Sequence, residues 1–362
     1  MTKTALAVLF AAATAYGADY KVLAPTTQDN LTVFPIVSDT VRDTGNFLTL
    51  DEGIRAGQVV VAEEGSAGLI RPRHPRTTIP DPWPEHTPIA PPPASSGAEV
   101  NRLMLVNNSD RPLILLAGEI VTGGKQDRVV GKDRIVPPHS QPIDLSVFCV
   151  EPHRWVATSE HFGSAGSFMA QPSVRQKAMA AKNQEQVWDE VAKSRQAVVA
   201  AAPPAAAEAL TGTSSYARTM GDSAVQNRVD AVAAPMEKSW DNALGELRAR
   251  KAVGAVVAVN GEIVWADIFA SPSLLEKYWP KLVRSYAAEA VSSGNYRKHG
   301  AIAQRDAQAF LDDFQAQHQS VESDPGVYRT TELEGNGFDA FVLTSLLPGE
   351  NFNVHVAKMK LG

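Results

Sequence analysis

The chain is poor in several things at once. Among its 362 residues there is one cysteine, Cys149, which excludes an internal disulfide framework and any zinc site built on several thiolates. Aromatic residues make up 7%. Lys and Arg number 34 against 40 Asp and Glu, and no basic run stands out, so the electrostatic footprint of a nucleic-acid binder is missing. The eight histidines are scattered and no His-x-x-x-His pair occurs, so no metal or other cofactor is expected. There is no apolar run of the roughly 20 residues that a membrane helix needs. With 44% hydrophobic and 20% charged residues, the chain can nevertheless bury a sizeable core.

The N-terminus has one positive charge at Lys3, an apolar run from Ala5 to Ala13, and small residues around Gly17 and Ala18. That order matches a secretory signal over residues 1–18, leaving a domain of 19–362. Removal of Lys3 takes the net charge from −6 to −7. No cysteine follows the apolar run to carry a lipid anchor. The expectation is therefore an exported protein, periplasmic or secreted, free of the membrane after cleavage, with its protein partner unknown.

Residues 31–37 and 57–62 are rich in β-formers. Residues 72–93 hold nine of the 24 prolines, which excludes helix and interior strand there and predicts an exposed loop insertion. Short apolar or alternating runs at 102–107, 113–117, 129–136 and 143–150 predict strands separated by turns. From Ser173, with Gln176 as a capping-box partner, helical spacing takes over and continues with breaks to about residue 250. The breaks are the Ala/Pro and Gly/Ser/Thr stretch at 201–215, and Pro235. Asn260-Gly261, between apolar runs at 253–259 and 262–268, predicts a type I′ hairpin. Ser271-Pro272 opens a further helix that Pro280 should kink or divide, and another helix is expected near 303–317. Runs at 326–332, 338–345 and 352–359 return to strand. The lack of regular βαβ alternation disfavours a doubly wound fold. The prediction is α+β: an antiparallel, sandwich-like sheet core, a helical middle segment, and C-terminal strands sharing or flanking one sheet system with the N-terminal ones.

Three polar constellations carry chemistry. Gly123-Gly124-Lys125-Gln126-Asp127-Arg128 reads as a hairpin tip. Paired glycines let backbone approach a ligand, Lys125 and Arg128 suit an anion, and Gln126 suits a base or sugar edge; the same pattern also describes a solvated turn. Glu119 follows the apolar run Leu113–Ala117, so its carboxylate needs a partner or a shifted pKa. It reads as a general acid/base, a ligand contact, or half of a pair with Lys125 or Arg128. The third is Cys149-Val150-Glu151-Pro152-His153-Arg154-Trp155. There Glu151 lies beside a thiol that it would deactivate, and Arg154 and Trp155 can clamp and stack a planar anion or simply pair and pack. Glu119 and Glu151 together also have the makings of a two-carboxylate pair. The loop Gly163–Ser167, ahead of the predicted helix, reads as a linker or an anion-binding turn.

These pieces, in this order, resemble the ARPP domain family, first type, associated by name with ADP-ribosylglycohydrolases and rhodanese-phosphatases. Leu115-Leu116-Ala117-Gly118-Glu119, the Gly123–Arg128 run, and Val147–Glu151 with Arg154-Trp155 carry the resemblance. Gln186-Val187-Trp188 and the stretch from Gly254 to Phe269 extend it over residues 25–360. The resemblance implies that Glu119, Lys125, Gln126, Arg128, Glu151, Arg154 and Trp155 form one functional or structural centre, and it ties the chain to ADP-ribose by association only. Three functions follow as expectations. The first is binding of a small anionic or sugar-nucleotide-like ligand. The second is hydrolysis with Glu119 or Glu151 as general acid/base. The third is a structural or protein-interaction role.

Overall fold

The computed structural model describes residues 20–64, 103–152, 159, 161–294 and 300–361. The predicted signal at 1–18, the Pro-rich 72–93 segment, Arg154 and Trp155 lie outside the described residues.

The α+β expectation holds. Strands from both ends of the chain share one nine-stranded antiparallel sheet. Its order runs Tyr20–Val22, Leu31–Ser38, Ala252–Val259, Glu262–Phe269, Phe352–Lys360, Phe338–Ser345, Tyr328–Gly335 and Ala316–Asp324, with Thr26–Gln28 folded back on Leu31–Ser38. Alternation explains why it has two buried faces. Val33, Ala255, Val257, Trp265 and Ala357 face one core, whereas Phe34, Val256, Ala258, Ala266 and Val356 face the other. The first core is covered by the long helices Ser223–Ala249 and Pro272–Ser293, through Trp240, Tyr278, Leu282 and Tyr286. The second is covered by Gln304–Asp312 through Ala307 and Leu311.

The Asn260-Gly261 turn takes positive φ at both residues, 53° and 81°, as a type I′ hairpin requires. Ser271 caps the helix that begins at Pro272, accepting from Leu274 N. Pro235 and Pro280 end neither long helix. A proline removes one backbone donor, and around Pro280 the buried Tyr278, Trp279, Leu282 and Tyr286 hold both halves of the helix on the sheet. The helix expected to 317 stops at Asp312, and Ala316–Asp324 is an edge strand. All nine of its residues are exposed, so no buried face imprinted an alternating pattern on its sequence.

The segment from Leu48 to Met169 builds three smaller sheets. They enclose a separate core that includes Leu48, Val61, Leu105, Leu115, Val121 and Phe162. The predicted runs at 129–136 and 143–150 are each broken, by Gly131–Asp133 and by Leu145-Ser146, with Ser146 at φ 49°. Gly163–Met169 is a strand paired with Glu119–Thr122, not a loop feeding a helix. The next helix, Pro172–Gln176, has Gln171 at its cap with no side-chain hydrogen bond, so the Ser173/Gln176 capping box does not form. Ser173 N donates instead to Glu289. The 201–215 break holds a further short helix, Pro204–Thr211.

Candidate functional site

The strand Glu119–Thr122 and its partner Arg128–Val130 form the hairpin that carries the sequence motif. Its two ends differ in construction.

At the N-terminal end, Leu116–Glu119 turns tightly. Leu116 N donates to Glu119 Oε2 at 2.9 Å, and Lys281 Nζ donates to Glu119 Oε1 at 2.8 Å. Lys281 also ion-pairs with Asp51. Burial pushes the Glu119 carboxyl up against the opposing pull of Lys281. Burial would lower the Lys281 ammonium, but its two carboxylates outweigh that and raise it. Beside this pair, Asp133 accepts from Ala117 N at 2.7 Å and from His355 Nδ1 at 2.6 Å. His355 Nε2 reaches Asp267 at 3.2 Å, and Arg175 forks onto Asp267 at 2.9 and 2.8 Å. Tyr286 adds its hydroxyl to Asp267 at 2.5 Å. Burial alone would depress the His355 imidazole, yet Asp133 and Asp267 hold it up at about 9. Burial would likewise raise Asp267, but Arg175 and His355 hold it far below the usual carboxylate range. Gly118 is required here, because a Cβ would lie 2.5 Å from Arg175 Cγ. This is a buried ionic joint between the hairpin, the large sheet and helix Pro272–Ser293.

At the other end lies the turn Gly123–Asp127. A Cβ on Gly124 would sit 2.3 Å from Phe162 Cζ, so backbone occupies space that a side chain cannot. Asp127 ties the turn together: its Oδ1 accepts from Gly123 N at 3.1 Å and its Oδ2 from Ser215 Oγ at 3.0 Å. Its own N–H donates to Glu151 Oε2 at 3.3 Å, and its carbonyl accepts from Val150 N. Lys125 N donates to Glu63 Oε1 at 2.7 Å, and Lys125 Nζ pairs with the same carboxylate at 3.5 Å. Arg128 is buried, opposite Cys149 in the strand ladder, and its Nη1 donates to the Asp127 carbonyl. Gln126 is 0% exposed, and among the described residues neither its Oε1 nor its Nε2 has a hydrogen-bond partner.

The structure therefore brings together Lys125, Gln126, Asp127, Arg128 and Glu151. Glu119 stands at the far end of its strand, paired with Lys281 and not with Lys125 or Arg128. Glu119 and Glu151 accept from different donors at opposite ends of the hairpin. Cys149 is buried, and burial pushes its thiol up to about 11, reinforced by Glu63 and opposed by Arg128, so it is no activated nucleophile.

Sequence reasoning missed Lys281, Asp51, Asp133, His355, Asp267 and Arg175. Of these only Asp51 carried a local signal, as an acidic residue in the first turn of the helix that the Thr49/Glu52 capping box opens. Among the described residues no His/Cys/Asp/Glu cluster is placed to hold a metal, and no helix is long and apolar enough to cross a membrane.

The family model for the ARG and Rhodanese-Phosphatase-superfamily-associated Protein domain matches residues 19–358. The chain belongs to this family. Comparison with curated proteins and with solved structures returned no match. Family membership covers nearly the whole chain, so both ends of the hairpin lie inside the family's domain.

Proposed function

We propose that this domain binds a small polar ligand of the sugar-nucleotide kind at the 123–128 turn. The observation that carries the reading is Gln126. A carboxamide removed from water with no partner costs about 1–3 kcal/mol, and the surrounding turn otherwise satisfies its polar groups. Donor and acceptor together on one planar group suit a sugar hydroxyl pair or a base edge. A carboxamide carries no charge of its own and pairs best with neutral donors and acceptors. The part of the ligand that meets Gln126 is therefore a neutral, hydroxyl-bearing or heterocyclic group, not the anionic one. Gln126 has no exposed area, so entry needs a local opening of the turn, with the partly exposed Lys125 at its rim. ADP-ribose is a natural first candidate from the family's association with ADP-ribosylglycohydrolases. Export from the cytoplasm belongs to the same proposal and rests on the pattern of residues 1–18.

A thermal-shift screen with ADP-ribose, nucleosides, sugars and organic acids tests it. A ligand at 100 times its Kd adds about 2.7 kcal/mol of stability. That gain should vanish in Gln126→Leu. A screen in which nothing shifts the wild type, or in which the variant shifts equally, defeats the reading.

The second reading, a hydrolase, is favoured by one observation, the raised Glu119 carboxyl. Against it stands the 2.8 Å contact with Lys281 in a core that leaves Glu119 2% exposed.

A further inference from the structure

Arg195 sits on the helix Gln184–Ala200, half-buried, and no described carboxylate forms an ion pair with it. Burial draws its pKa down, with no acidic neighbour among the described residues to offset the effect. Its Nε donates to Thr219 Oγ1 at 3.0 Å. Thr219 is wholly buried and gives its own proton to the Ser215 carbonyl at 2.8 Å, so a lone pair is left for the arginine. Ser215 Oγ in turn donates to Asp127 Oδ2. This chain of hydrogen bonds, Arg195–Thr219–Ser215–Asp127, fixes the guanidinium relative to the 123–128 turn.

Arg195 lines a cavity of about 440 Å³, together with Gln196, Val199, Leu210, Thr213 and Ser214. Nε is occupied by Thr219, which leaves the two terminal nitrogens for a partner. They form a planar fork matched to two oxygens of a phosphate or carboxylate. Thr213 Oγ1 accepts from Ser215 N at 3.2 Å, which leaves its hydroxyl proton to donate as well. A half-buried guanidinium beside this cavity, held in place by a buried hydroxyl, has no counter-charge among the described residues.

We propose that the Arg195 cavity is an oxyanion subsite, taking a phosphate or carboxylate group, and that it holds the anionic end of the ligand whose neutral end meets Gln126. The second half of that statement rests on the Gln126 reading; the first half stands without it.

The test is calorimetric titration of the full chain with inorganic phosphate, pyrophosphate and citrate. It is repeated on Arg195→Gln, Arg195→Lys and Gln126→Leu, with thermal melts to establish that each variant folds. At least one anion should bind the wild type. Arg195→Gln should weaken it about tenfold or more, as expected for loss of charge-assisted hydrogen bonds. Arg195→Lys should keep part of the affinity, having the charge without the fork. Preference for phosphate or pyrophosphate assigns a phosphoryl group, and preference for citrate a carboxylate. Gln126→Leu should bind the simple anions as the wild type does. If, in the thermal-shift screen with ADP-ribose, nucleosides and sugars, Gln126→Leu keeps every wild-type response while Arg195→Gln loses it, the Gln126 reading fails and the subsite stands. Equal affinities of wild type and Arg195→Gln, or no binding of any of the three anions at millimolar concentration, overturn the subsite.

Discussion

At the N-terminal end of the strand Glu119–Thr122 each buried charge is matched by an opposite one, whereas at the C-terminal end a buried carboxamide meets no partner among the described residues. The two ends belong to one run of family residues, yet they do different work. Glu119 and Gly118 join sheets and helix; Gln126 holds a buried amide with neither of its polar atoms paired among the described residues. Buried ionic networks add little net stability over apolar packing, but they penalise every arrangement except the one that pairs them. An unmatched carboxamide does the reverse, since it costs stability in the free protein, and under the proposed function a ligand would offset that cost.

The ionic joint is most exposed to damage at Asp267. Asp267→Ala strands Arg175 and His355 in a dry core, and about 4 kcal/mol of unfolding free energy should be lost. Urea titration at neutral pH measures it. A loss below about 1 kcal/mol would mean that the joint does not hold the fold.

A pH series probes the same joint more gently. The folded His355 pKa, about 9, lies above its ordinary 6.5. Its contribution is therefore complete below pH 6.5 and is lost as pH rises through about 9. The shift corresponds to about 3 kcal/mol. Unfolding free energies measured from neutral to alkaline pH should fall over that window, and should do so less steeply in His355→Gln. Asp267 works in the other direction, with a contribution present above the ordinary aspartate range and lost as pH falls into strong acid.

Glu119→Gln separates the two ends. Lys281 keeps Asp51, so a loss of about 2 kcal/mol is expected, with ligand binding at the turn unchanged. Denaturant titration alongside the ligand screen gives both numbers. Intact stability with lost binding or turnover would move Glu119 into the site and revive the hydrolase reading.

How much of this was legible follows from range. The Asn260-Gly261 hairpin, the Ser271-Pro272 helix start and the Gly123-Gly124 turn are set by local backbone chemistry, and each reads directly from its residues. The glycine pair even marks the close approach to Phe162. The ionic joint was not legible, because its partners are far apart in the chain: Glu119 and Lys281 are separated by 162 positions, Asp133 and His355 by 222. A carboxylate at the end of an apolar strand announces that it needs a partner but not which one. The edge strand Ala316–Asp324 was invisible for another reason, since a strand exposed along its whole length carries no pattern of burial. Nothing in its local sequence marks Arg195; only the folded chain places it against Thr219 and the cavity.

At the turn a small change in stability separates a ligand-binding residue from a structural one. Gln126→Leu replaces a buried, partnerless carboxamide by an apolar side chain of similar length. If Gln126 were a structural residue with hidden value to the fold, its removal would destabilise the protein, as nearly all core substitutions do. If it is held for a ligand, the free protein should gain about 1 kcal/mol, because the desolvation cost disappears and nothing is broken. The same variant should bind sugar-nucleotide-like ligands worse than the wild type. Opposite signs for stability and binding are the mark of a site kept strained for function. A melt of the ligand-free variant that falls below the wild type would instead place Gln126 with Glu119, as a residue the fold needs.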